Sequence, residues 1–229
     1  MSLTRTHVRT SLRKYHIWLG WLIGVPMLFW TLSGVVMVWK PIAEVRGSTL
    51  LADPVPIALA TSAIAPVIPG QFTALTLEPR ADGPRWVVKS AGGSRLADPA
   101  TGRFLPALTA ADAAREVRAR YRGSATIASV TRTDAAHAPL DLRRDIASWQ
   151  VTMSDGTHFY VDAGSGAIVA TRTRFWRFYD WMWGLHIMDL QGRENTHNPW
   201  IVGFGILTLV TTVLALALLP LTGRRRRKR

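Results

Sequence analysis

The fold class this sequence predicts is a membrane protein with two apolar helices and an α+β domain between them. Three observations predict it. Residues 17–39, IWLGWLIGVPMLFWTLSGVVMVW, carry no charged side chain, and residues 201–221, IVGFGILTLVTTVLALALLPL, form a second such run. Between the runs the pattern changes to short alternating apolar stretches punctuated by Gly, Pro and Asp, the signature of strands and turns.

The net charge of +13 sits mostly at the two ends: Arg5, Arg9, Arg13 and Lys14 precede the first run, and RRRRKR follows the second. Cationic residues abutting apolar spans are topology signals. They predict a bacterial inner-membrane location with both termini cytoplasmic and the central domain periplasmic. Basic ends without a folded recognition module argue against a nucleic-acid partner. Absence of cysteine excludes disulfides, thiolate metal sites, iron–sulfur clusters and cysteine nucleophiles. Ten tryptophans suit a protein that meets water–lipid boundaries.

In chain order, residues 1–15 read as a cytoplasmic basic tail and 16–40 as the first transmembrane helix. At about 1.5 Å per residue its apolar run is roughly 35 Å long, enough to cross the hydrocarbon core. Pro26 predicts a kink, and Trp18 and Trp39 lie where interfacial anchors would. With no small-residue cleavage site close behind, the run reads as an uncleaved anchor. Residues 41–70 read as a linker, Pro/Ala-rich from 51 onward.

Residues 71–172 read as the α+β domain. FTALTLE and RWVVKSAGG predict strands, and ADPATGRFLP a turn. TAADAAREVRARYRG predicts a helix capped by Thr109 and stopped at Gly123. From Ser148 the pattern is strand, turn at Asp155–Gly156, strand, turn at Gly164–Gly166, strand. His137 and His158 are spread apart and no catalytic residue is assigned. Residues 173–190, with six aromatics between Phe175 and Trp183 interrupted by charges, predict an interfacial amphipathic helix lying on the bilayer. Residues 198–221 are the second transmembrane helix and 222–229 a second basic tail.

The residues with chemistry are histidines. Steps of three, four or seven from His16 reach Gly20, Gly24, Thr31 and Gly34, a stripe of small side chains. One reading is close helix packing through Gly20-x-x-x-Gly24, with His16 snorkelling toward headgroups. The other is a haem edge over the glycines with His16 as axial ligand. His186, among Trp183, Leu185, Ile187 and Met188, needs partners for its ring nitrogens. His197, just before the second span, is a further outer-side candidate.

RKYHIWLGWLIGVPMLFWTLSGVVMVWKP, the turns LADPATGRFLP and YVDAGSGAIVA, and FYDWMWGLHIMDLQGR resemble segments of PepSY-associated transmembrane proteins. The resemblance implies a PepSY-like outer domain. It also implies haem b bound through its iron to His16 and His186, with Gly20, Gly24 and Gly34 beside the haem or in a helix seam. Larger members have about four spans, and some resemble haem-containing reductases of ferric siderophores. This chain has two, so the resemblance implies a homodimer or larger membrane complex that pairs each histidine with its counterpart, or a redox partner protein that supplies the second ligand. The expected function is electron transfer across the membrane to a periplasmic acceptor such as a ferric complex. The alternatives are a non-enzymatic accessory subunit whose domain binds a partner protein, and an inhibitor acting on peptidases. DAGSGAI, residues 162–168, looks like a covalent flavin motif but ends on Ile168 where a hydroxyl is required.

Overall fold

The computed structural model describes residues 2–57 and 62–223. The expected C-terminal arginine cluster, residues 224–229, and linker residues 58–61 lie outside them. The chain divides into two compact units, residues 41–177 and the pair of segments 1–40 and 178–229.

In the second of these units, α1 (Ser2–Trp39) and α5 (Pro199–Gly223) are the long apolar helices. Both contain a stretch long and apolar enough to cross a membrane, Thr10–Trp39 and Pro199–Pro220. The basic N-terminal residues expected as a separate tail are instead the first turns of α1, because no glycine or proline lies between Ser2 and His16 to stop the helix there. α1 packs against α5; Ile23, Ser33 and Val36 on the first helix and Leu218 on the second are buried. Trp30 meets Phe204 with ring centroids 6.3 Å apart. Most other apolar side chains on both helices are exposed.

The segment expected as a linker is part of the α+β unit. It holds a short helix α2 (Ile42–Val45) and a 3-10 turn at Ser48–Leu50. The Ala52 amide donates to the Arg120 carbonyl, the Arg122 amide to that of Leu50, and the Ile64 amide to that of Pro99. The Trp86 indole donates to the Ile64 carbonyl at 2.8 Å. These backbone pairings are invisible to a composition that reads as tether.

β1 (Ala74–Arg80), β2 (Gly83–Ser90) and β3 (Gly93–Ala97) form one antiparallel sheet, and β4 (Ile127–Thr133), β5 (Ser148–Met153), β6 (His158–Asp162) and β7 (Ile168–Arg172) a second. α3 (Ala110–Arg120) starts in a reciprocal capping box: the Asp112 amide donates to the Thr109 hydroxyl and the Asp112 carboxylate accepts from the Thr109 amide. The helix ends before Gly123, because Tyr121 turns extended and pairs with Leu51. Ala113 and Val117 of α3 pack with Val151, Met153, Phe159 and Val161 as the main core.

The two Asp-x-x-(Thr/Ser)-Gly turns share one geometry. The Gly102 amide donates to the Asp98 carbonyl as that of Gly166 does to Asp162, while the Asp98 and Asp162 amides donate to Arg103 and Ala167. Both glycines have positive φ, 66° and 70°, a backbone that glycine adopts without steric cost.

On the other face of the second sheet, residues 134–147 lie as a strap. Leu142 is buried with Tyr160 and Ala170. Asp141 ties the strap down: its carboxylate accepts from the Tyr160 hydroxyl at 2.6 Å and lies 3.3 Å from His158 Nδ1. Arg172 donates to the Asp141 carbonyl.

Candidate functional site

α4 (Arg174–His186) ends where Met188 takes a left-handed φ of 55°. The Asp189 amide reaches back to the Gly184 carbonyl and that of Met188 to Leu185, a Schellman-type close with a side-chain-bearing residue where glycine is usual. The helix is therefore shorter than the expected 173–190. The loop after it is held by polar side chains. The Asp189 carboxylate accepts from the Gly192, Glu194 and Asn195 amides, each at 3.1 Å. Bonds from the Asn195 and Glu194 amides hold that carboxyl below the ordinary carboxylate range. Asp180, only 5% exposed, pairs with Arg193 at 2.8 Å. The Asn198 side-chain amide donates to the Ile187 carbonyl at 2.8 Å, and its oxygen accepts from the Trp200 and Ile201 amides as the cap of α5.

This framework fixes His186, the last residue of α4. Its ring stacks on Trp30 of α1, centroids 4.5 Å apart and planes 19° from parallel. Nδ1 lies 3.1 Å from the Ser33 hydroxyl and 3.2 Å from the Trp30 carbonyl. Ser33 is fully buried, and its hydroxyl donates to the same carbonyl at 2.8 Å. A Cβ at Gly34 would come within 3.3 Å of His186 Cε1. Gly34 is thus the seat of His186.

The rest of the stripe behaves differently. A Cβ at Gly20 or Gly24 would meet nothing within 4 Å among the described residues. Gly20 and Gly24, with Ile17, Trp21 and Val25, line an open cleft of about 330 Å³ on the α1 surface. A second cleft of about 460 Å³ continues from Ile17 and Trp21 to Arg13 and Lys14. His16 is half-buried, and its Nδ1 is enclosed without a hydrogen-bond partner among the described residues. His197 is exposed on the loop, with Nδ1 3.2 Å from the Thr196 hydroxyl.

The histidines do not come together. Gly34 marks the level of His186 on α1, and His16 lies eighteen residues earlier, about 27 Å along a helix. One iron cannot take both, so each histidine could offer a metal only a single donor at its own level. His186 meets the demands on such a ligand: its orientation is fixed and its Nδ1 is bonded to a carbonyl, the arrangement that orients metal-bound imidazoles. His16 has no such support. Among the described residues no three His, Cys, Asp or Glu side chains group to hold a metal ion.

The sequence singled out His16, His186, His197, Gly20, Gly24 and Gly34, of which the structure brings together His186 and Gly34. Trp30, Ser33, Asp180 and Arg193 were missed, since their roles exist only once α1 and α4 meet. Asn198 before Pro199 is a local capping signal that could have been read. Comparison of the chain with protein families, with curated proteins and with solved structures finds no match.

Proposed function

We propose that this chain is a membrane electron-transfer protein of PepSY-associated type. In this reading α1 and α5 cross a bacterial inner membrane with both basic ends in the cytoplasm, and the α+β unit is periplasmic. Exposed apolar side chains such as Trp21, Val38, Leu209 and Leu219 support insertion, since a surface of that kind is hidden by lipid and associates in water. His186 would hold the iron of a haem b near the outer face and His16 that of another near the inner face, with second ligands from another copy or a partner subunit. Bound haem supplies one-electron chemistry at its iron. The chain's part is to orient His186 on Trp30, hold its Nδ1, and anchor α4 through Asp180–Arg193 and Asn198. The acceptor in this reading is a periplasmic ferric complex. The observation that carries the proposal is the bonding of His186 Nδ1 to the Trp30 carbonyl and Ser33. A reduced-minus-oxidised absorbance spectrum of the detergent-purified protein tests it: b-type bands support the proposal, and a protein without a Soret band after expression with haem supply rejects it.

A second reading has an observation of its own. Stacking on Trp30 and seating on Gly34 also make His186 a staple between α4 and α1, which suits a non-enzymatic accessory subunit whose α+β unit binds a partner protein.

A further inference from the structure

The oxygens around His186 decide where its proton sits. The Trp30 carbonyl can only accept, so a ring nitrogen 3.2 Å away must bring the hydrogen. Ser33 leads to the same assignment. Its one hydroxyl proton is directed to the Trp30 carbonyl at 2.8 Å, leaving lone pairs toward Nδ1 at 3.1 Å. Both oxygens therefore take the Nδ1–H. A neutral imidazole has only one N–H, so Nε2 is a bare lone pair. Among the described residues no hydrogen bond is made to Nε2.

We propose that Ser33, together with the Trp30 carbonyl, is a tautomer-setting device that keeps His186 as Nδ1–H and presents Nε2 as a donor to a metal centre. This deepens the electron-transfer reading and rests on it for the identity of that centre, a haem iron. Ser33 is a positioning residue, acting through His186. The hydrogen bond it accepts makes the imidazole a stronger donor, which favours ferric over ferrous iron. Its place on the chain supports this: Ser33 is fully buried, one residue before the glycine that seats the ring and three after the indole on which it stacks.

The tautomer can be read without haem. Full-length protein carrying ¹⁵N-histidine, in detergent and free of haem, is measured by two-bond ¹⁵N–¹H correlation, with the His186 signals assigned by their loss in His186→Gln. The wild type should show Nδ1–H. Ser33→Ala should lower the Nδ1–H to Nε2–H ratio by about 2- to 10-fold, the ordinary worth of one hydrogen bond, and Ser33→Thr should restore it. An Nε2–H tautomer in the wild type overturns the proposal whatever becomes of the variants. So does a ratio in folded Ser33→Ala equal to that of the wild type. In protein loaded with haemin, Ser33→Ala should raise the reduction potential and Ser33→Thr return it, and an unchanged potential also overturns the proposal. A chain that binds no haemin but shows the Nδ1–H tautomer and its Ser33 dependence keeps the device and removes the haem reading.

Discussion

His186 fills the space that Gly34 leaves: a Cβ built at Gly34 would lie 3.3 Å from its Cε1 and 3.7 Å from its Nδ1. A glycine on α1 and the last residue of α4, far apart in sequence, therefore form one fitted contact.

Gly34→Leu should expel the imidazole from Trp30 and destabilise the helical unit by about 1–3 kcal/mol, the usual cost of overpacking. Gly24→Leu should cost the single chain little, since nothing lies within 4 Å of a Cβ there. If two copies approach through that open cleft, the same change should lower oligomeric mass. Thermal unfolding in detergent with light-scattering mass checks both. Equal stability of Gly34→Leu and wild type would reject the seat, and unchanged mass in Gly24→Leu would leave that cleft to lipid.

The strap over the second sheet should depend on Asp141. Tyr160 is fully buried; burial, then the adjacent Asp141 carboxylate, push its phenol well above the ordinary range. It therefore stays a neutral donor. Tyr160→Phe removes that donor from a half-buried carboxylate and should cost about 1–3 kcal/mol. Proteolysis between residues 134 and 147 should rise in parallel. Wild-type protection in Tyr160→Phe would show that the strap does not depend on the Tyr160 hydroxyl.

The start of α3 should weaken in acid. Hydrogen bonds from the Thr109 hydroxyl and amide, then the Arg115 guanidinium, hold the Asp112 carboxyl below its ordinary range. A carboxyl depressed in the fold contributes stability that is present above its unfolded-state value and lost as pH falls through the folded one. Thr109→Ala should cost about 1 kcal/mol near neutrality. Amide exchange in the first turn of α3 should move toward that of the variant as pH falls below the ordinary carboxylate range. A difference of constant size from pH 7 to 3 would contradict the reciprocal cap.

The proposed topology places both cationic ends in the cytoplasm. A phosphatase active only outside the cytoplasm should work when fused after about residue 100 and fail after residue 229. Activity of the C-terminal fusion would reverse the assigned orientation.

Much of the architecture was legible because its causes are local. Thr109 and Asp112 sit three residues apart, Asp162 and Gly166 form a turn within five residues, and the charge-free runs identify themselves. The parts that were not legible depend on distant pairings. Leu51 joins Tyr121, Ile64 joins Pro99 and Trp86, and residues 134–147 lie down because Asp141 meets Tyr160 and Arg172. The basic start of α1 was read as a tail because charge was taken to mark an end, whereas helix propensity continues through arginine and lysine. At the site, spacing found His186 and Gly34 separately but could not say that one fits the other.

The most direct test of the central claim is haem content per chain, by absorbance of pyridine extracts, in the wild type and in His16→Ala, His186→Ala and His197→Ala. His16→Ala and His186→Ala should each lose part of the wild-type haem, with different remaining spectra, and His197→Ala should keep all of it. Equal haem content in the wild type and all three variants, or none in a folded wild type supplied with haem, would contradict it.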